Sequence, residues 1–350
     1  MDLGLGLGPP GPVQERQPAG GASQAARSVG VGPGRTPPDD RSIREVRTGS
    51  PLLRLSFGTG SSPTCHRRAA WPAGAIAIPL LGFKLPAMAP PPPSEQPDAA
   101  APGAGAISRV LIVMAMEKEA MALVNKFKLV EAPASESIFP KGAPWTRFYG
   151  IYKDLHLDLV MPGKDPVFGV DSVGTVSAAL VTYASIQALK PDIIINAGTA
   201  GGFKAKGASI KDVFLASDVA FHDRRIPIPV FDMYGIGARK TFAAPNILKE
   251  LNFKLGKLST GDSLDMSPQD EEAILSNDAT IKDMEGAAVA YVADMFSTPA
   301  ILVKAVTDIV DGDKPTAEEF LKNLISVTAA LDVAVTKLVD FICGKRISDL

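Results

Sequence analysis

ISRVLIVMAMEKEAMALVNKF, residues 107–127, is the stretch in which the texture of the chain changes and its fold is decided. Residues 107–115 are an almost unbroken apolar run rich in Val and Ile, which predicts a strand buried on both faces. Residues 117–127 then place Ala120, Leu123, Val124 and Phe127 on one helical face. A buried strand leading straight into an amphipathic helix is half of a βα unit.

The alternation continues toward the C-terminus. Residues 147–152 and 155–161 alternate as a hairpin pair. Residues 174–189 predict a helix rich in Ala, Ser and Val, stopped at Lys190-Pro191. Buried strands are expected at 192–196, 212–221 and 300–306, with weaker ones at 254–259 and 280–283. Helices are expected at 286–295 and 316–342, the last carrying Phe320, Leu324, Val327, Leu331 and Val335 on one stripe. Strands alternating with helices mean an α/β sheet with helices on both faces. No internal repeat is present.

Toward the N-terminus the character is different. Residues 1–107 hold 18 of the 30 Pro and 16 of the 32 Gly, about a third of that segment, which is a poor composition for a packed core. Residues 1–105 are therefore expected to be a disordered Gly/Pro/Arg-rich extension, and 106–350 a single folded domain. Residues 1–87 carry nine Arg and one Lys against five acids. Three readings of that segment stay open: an organelle transit peptide, an unstructured extension, or a stretch upstream of a second start at Met88. The expected compartment is the cytoplasm, with the plastid in its place if residues 1–87 are a transit peptide.

The remaining chain, 108–350, has 26 basic and 31 acidic residues, a mildly acidic balance that argues against nucleic acid or an anionic membrane as partner. Two Cys, Cys65 and Cys343, exclude a disulfide framework and fit a reducing compartment. No apolar run reaches the ~18 residues of a membrane span.

In open α/β sheets ligands bind beyond the carboxyl ends of the strands. After 107–115 come Met116 and Glu119; after 192–196 comes Gly198-Thr199-Ala200-Gly201-Gly202; after 280–282 comes Asp283-Met284-Glu285-Gly286; after 300–306 comes Thr307-Asp308. Four strand ends thus converge on a cleft with Glu119, Thr199, Glu285 and Asp308. Several carboxylates without a Lys-rich loop suit a neutral or cationic ligand better than a phosphate. A Walker loop, a GxGxxG opening a helix and a GxSxG elbow are all absent, and His66, His156 and His222 lack metal-ligand spacing. Glu117, two residues before Glu119, is expected to face away from the cleft.

At these residues the chain resembles the purine-nucleoside and uridine phosphorylase superfamily, and within it the plant-type 5′-methylthioadenosine nucleosidases. The resemblance covers about residues 108–345 and rests on AMEKEA (115–120), NAGTAGG (196–202), FHDRRIPIP (221–229), STGDSLDMS (259–267), KDMEGAAVAYVA (282–293) and AVTDIVDGDKPTAEEF (305–320). It implies a single-domain α/β/α sandwich around a mixed, partly barrelled sheet, and a homodimer. It implies hydrolysis of the N-glycosidic bond of 5′-methylthioadenosine to adenine and 5-methylthioribose in methionine salvage, with S-adenosylhomocysteine left open as a second substrate. It calls for no cofactor and no metal. By resemblance, Asp308 protonates adenine N7, Glu119 activates water, and Glu285 binds the ribose hydroxyls. Met284 packs on the sugar, and backbone near Leu264 reads the adenine edge. Thr199 belongs to the same site, while Met116, Val173 and Phe320 line the pocket for the 5′-alkylthio group. A partner loop near Ile226 to Met233 closes that pocket.

Two rivals are weighed on residues. A phosphate-dependent phosphorylase of this superfamily has Arg where this chain has Asn196 and in the loop that here reads AMEKEA. An amide in place of Arg removes a charge-assisted phosphate contact, and Glu119 would repel the dianion. A non-catalytic storage homologue would have lost the carboxylates, yet Glu119, Glu285 and Asp308 are all present.

Overall fold

The computed structural model describes residues 105–350. Residues 1–104, and with them the expectation of a disordered extension, lie outside the described residues. In chain order the elements are β1 (Arg109–Val113), α1 (Glu117–Phe127), β2 (Val130–Glu131), β3 (Thr146–Tyr152), β4 (Leu155–Met161), α2 (Thr175–Leu189), β5 (Ile193–Gly202), β6 (Val213–Phe221), α3 (Phe231–Ile236) and β7 (Arg239–Lys240). There follow α4 (Pro245–Leu251), β8 (Lys254–Thr260), α5 (Pro268–Ser276), β9 (Ile281–Asp283), α6 (Gly286–Met295), β10 (Ala300–Ile309) and α7 (Thr316–Ile342).

β1 shows why the chain stacks in layers. Val110 and Ile112 point into one core with Leu123, Phe127, Val335 and Leu338 of α1 and α7. Leu111 and Val113 point into the other, with Val181, Ile186 and Val289 of α2 and α6. The two-residue period of a strand thus feeds two apolar layers, and helices cover both.

The sheet runs β10-β6-β8-β9-β5-β1-β4-β3-β2, with β7 beside β6. β10 also pairs with β5, so β5, β9, β8, β6 and β10 close into a ring. Pairings are parallel for β1–β4, β1–β5, β5–β10, β6–β8 and β8–β9, and antiparallel for β3–β4, β5–β9 and β6–β10. The expected α/β/α sandwich with a mixed, partly barrelled sheet is the architecture observed.

Two strands run further than their sequence predicts. β5 continues through the Gly-rich segment to Gly202, and β10 through Asp308 to Ile309. Glycine disfavours a strand, but here it is required by crowding in the closed ring. A Cβ on Gly202 would lie 2.8 Å from both Ala208 Cβ and Val306 Cγ1. The ladder from Ala300↔Ile194 to Ile309↔Gly202 then holds the segment extended. Three short helices, α3, α4 and α5, have no counterpart in the sequence reading. α5 did carry a signal: Ser267 caps it in a capping box with Asp270, and Pro268 opens it.

Candidate active site

The turn from β1 into α1 sets Glu119 at the third helical position, its backbone N–H donating to Met116 O at 3.1 Å. Its carboxyl is buried, 2% exposed. Oε1 accepts the backbone N–H of Thr199 at 2.8 Å and the Thr199 hydroxyl at 2.7 Å, both from β5. Oε2 makes no hydrogen bond to the described residues and is left for a ligand or water. Burial pushes the Glu119 pKa up, while the two Thr199 bonds and the Lys304 cation hold it back.

Asp308 lies on β10, paired across the ladder with Gly201. It is 2% exposed. Oδ1 accepts the Thr307 hydroxyl at 2.8 Å, and Oδ2 is buried without a protein partner. Burial raises the Asp308 pKa, opposed by the Thr307 bond and the charge of Lys282. Gly201 makes room for this carboxylate: a Cβ there would fall 2.9 Å from Asp308 Oδ2 and 2.5 Å from Val310 Cγ2.

Glu285 stands at the first position before α6 without capping it, and its Oε1 accepts the Gly174 N–H at 2.9 Å. The residue keeps some surface toward the cavity, yet protein surrounds its carboxyl closely. Burial, helped by the neighbouring Asp283 carboxylate, pushes its pKa up to about 7, against the pull of Lys304.

Beneath these acids lies a charge pair that the sequence reading missed. Lys304 Nζ sits 2.8 Å from Asp283 Oδ2, each side chain 1% exposed. Asp283 also accepts the Thr260 hydroxyl at 2.6 Å and the Gly286 N–H at 2.8 Å, and so caps α6. The surrounding carboxylates of Asp283, Glu285 and Glu119 raise the Lys304 pKa despite burial, so it remains a cation. One lysine inside the apolar run of β10 was the available signal.

These groups meet in one cavity of about 260 Å³. All nine site residues expected from sequence line it: Asp308, Glu119, Glu285, Met284, Leu264, Thr199, Met116, Val173 and Phe320. Lys282, Asp283 and Thr307 line it as well. Met116, Val173, Met284 and Phe320 supply an apolar wall. Glu117 is absent from it; it is half-exposed and pairs with Lys164 at 2.8 Å. Segment 226–233 contributes nothing to the cavity of its own chain. Its Ile228, Val230 and Met233 are 55%, 77% and 73% exposed. Asp311, beyond the end of β10, accepts the N–H groups of Lys204 and Ala205 at 2.6 and 2.8 Å. Buried acids with raised pKa values around one apolar-walled cavity are the arrangement for moving protons on a small organic substrate.

The family model of the phosphorylase superfamily matches residues 109–340. The chain belongs to the phosphorylase superfamily. Within that superfamily it is 65% identical over 244 residues to a 5′-methylthioadenosine nucleosidase of Arabidopsis thaliana, covering 70% of this chain and 91% of that one. It is 64% identical over 244 residues to a 5′-methylthioadenosine/S-adenosylhomocysteine nucleosidase of the same plant, covering 70% of this chain and 95% of that one. The superfamily fold is shared with the apo structure of the Arabidopsis thaliana 5′-methylthioadenosine nucleosidase, at TM-score 0.69 and 64% identity over 70% of this chain and all of that one. At that identity the chain is a member of the nucleosidase branch of the superfamily. Among the described residues no helix is long and apolar enough to cross a membrane.

Proposed function

We propose that this protein hydrolyses 5′-methylthioadenosine to adenine and 5-methylthioribose, a step of methionine salvage. The observation that carries the reading is the buried, unpartnered Oδ2 of Asp308, facing the same cavity as Glu119 and Glu285. Breaking the bond between adenine N9 and sugar C1′ sends the electron pair into the base. Asp308, kept protonated more readily by burial, delivers a proton to N7 so that adenine leaves neutral. Positive charge grows on the sugar, and the nearby carboxylates stabilise it as they do in glycoside hydrolysis. Glu285 accepts the ribose hydroxyls. Water adds to C1′ and gives its proton to Glu119, whose raised pKa makes it a stronger base than a free carboxylate. The sum is nucleoside plus water to base plus free sugar, with no cofactor.

The charge of the cavity favours water over phosphate. Among the described residues Glu119, Asp283, Glu285 and Asp308 line it, against Lys282, whose ammonium is occupied by main-chain carbonyls, and Lys304, which is paired with Asp283. The exposed apolar residues of 226–233 support a homodimer in which this segment closes the partner's 5′-alkylthio pocket. The compartment we propose is the cytoplasm, or the plastid if residues 1–87 are a transit peptide.

The test is product analysis on the purified chain, with and without phosphate. Free 5-methylthioribose in both arms is the expected result; a sugar 1-phosphate formed only with phosphate would convert the assignment to a phosphorylase, and no adenine at all would leave a binding protein. A parallel arm with S-adenosylhomocysteine decides the second substrate, on which the two plant relatives differ by name.

A further inference from the structure

Lys282 has no role in the chemistry above, yet it is a lysine inside the cavity wall. Three adjacent strands set it in a row with the acid: Lys282 of β9 pairs with Gly201 of β5, and Gly201 pairs with Asp308 of β10. With no side chain between them, Lys282 and Asp308 both lean over the glycine; a Cβ there would lie 3.5 Å from Lys282 Cγ and 2.9 Å from Asp308 Oδ2. Lys282 is 4% exposed. Among the described residues its ammonium has no ion-pair partner. Nζ donates instead to the main-chain carbonyls of Leu264 at 2.7 Å and Ser263 at 3.4 Å, in the loop between β8 and α5.

Burying an ammonium is costly, and an apolar stem of equal length would fill the same space. What the lysine adds is a fixed loop and a positive charge beside the acid. We infer that Lys282 is the positioning residue for the nucleobase, clamping the Leu264 main chain against the base edge and setting the field in which Asp308 releases its proton. This rests on the nucleosidase reading, and it gives the Leu264 loop a mechanical anchor on the strand that carries Met284 and Glu285 behind it.

The charges around the two groups fix the expected direction. Lys282 faces Asp308 from β10, Asp283 on its own strand, Asp265 from the loop and Asp270 from α5, with His222 at the end of β6. Asp308 faces Lys282, the Thr307 hydroxyl and Glu319 of α7. Lys282 is the one cation in the second set. Without it, only the Thr307 bond is left to oppose burial and Glu319, and the Asp308 pKa moves further up.

Lys282→Met keeps the stem and removes the ammonium; Lys282→Arg keeps the charge. In the full chain, calorimetry of free adenine binding and kcat and KM for 5′-methylthioadenosine across pH are measured for both variants and wild type. Losing a charged hydrogen bond to the loop should weaken adenine binding about 10-fold and raise KM comparably. The alkaline limb of kcat/KM, the one that Asp308→Asn abolishes, should shift to higher pH in Lys282→Met and return toward wild type in Lys282→Arg. Wild-type adenine affinity with an unmoved limb in Lys282→Met overturns the inference, as does a limb that moves equally in Lys282→Arg. Should Lys282→Met fail to fold, Lys282→Arg alone decides by the same limb. A wild-type protein that releases no adenine would sink the nucleosidase reading instead, while the adenine isotherms would still test the clamp.

Discussion

Replacing Lys304 by Met removes the cation that is paired with Asp283 and lies near Glu285 and Glu119. The Lys304–Asp283 pair is 2.8 Å long with both side chains 1% exposed, so water cannot take over the lost partner. Breaking a buried pair from one side costs about 3–5 kcal/mol. Asp283 retains the Thr260 hydroxyl and the Gly286 N–H, which places the loss near the lower end. At about 2–4 °C per kcal/mol for a domain of this size, a loss of about 3 kcal/mol lowers Tm by about 6–12 °C. The pH dependence has a definite sign. With the cation gone Glu285 and Glu119 lose a charge that holds their folded-state pKa values down, and Glu285 starts at about 7. Between the unfolded pKa near 4 and those raised values the folded state holds more protons than the unfolded one, so stability falls as pH rises. The deficit of Lys304→Met against wild type should therefore be small near pH 5 and largest above pH 8. Adding Asp283→Asn removes the orphaned charge and should restore several degrees. Glu119 also loses a cation that holds its pKa down, so less of it is the charged base at a given pH, and kcat should fall and recover partly in alkali. Calorimetric melts of the three proteins at pH 5, 7 and 8.5 give the answer. A deficit under about 2 °C, or one that does not change with pH, would refute the idea that Lys304 holds the buried carboxylates in their charged forms.

Asp308→Asn keeps the shape of the acid but carries no proton for N7; turnover should fall about 10²–10⁴-fold with Tm unchanged, and activity within a few-fold of wild type would move the acid elsewhere. Glu119→Gln should cripple turnover yet bind a non-hydrolysable analogue tightly, whereas Glu285→Gln should lose about 10–150-fold in affinity as well, since a charged hydrogen bond is worth about 1.5–3 kcal/mol; the opposite pattern in calorimetry means that the two roles are exchanged. Removal of residues 1–105, a segment chosen for its Gly and Pro load, should leave Tm and kcat where they were, and a substantial drop in either shows that the segment packs on the domain.

The candidate site was legible because its chemistry is carried by residues at strand ends, where one-dimensional order already predicts convergence. Glu119 follows β1 and Glu285 follows β9, and each side chain was placed by the rule that α/β sheets bind ligands beyond their strands. Asp308 shows the limit of that rule. It stands inside β10, since pairing along β5 continues past the point where the apolar run ends. Gly201 and Gly202 were misread for the complementary reason: a Gly-rich segment is ordinarily a loop, and only the closed ring reveals that its missing side chains make space for Asp308, Val306 and Lys282. The lysines were hidden more deeply. Lys304 and Asp283 are 21 positions apart in the chain, and neither has a local pattern that announces a partner. Their pairing exists only because β10 and β9 flank β5 on opposite sides within one barrel. Carboxylates that act on substrate can be located from the end of the strand that carries them. The cations that keep those carboxylates charged depend on which strands become neighbours, and that is a property of the closed sheet.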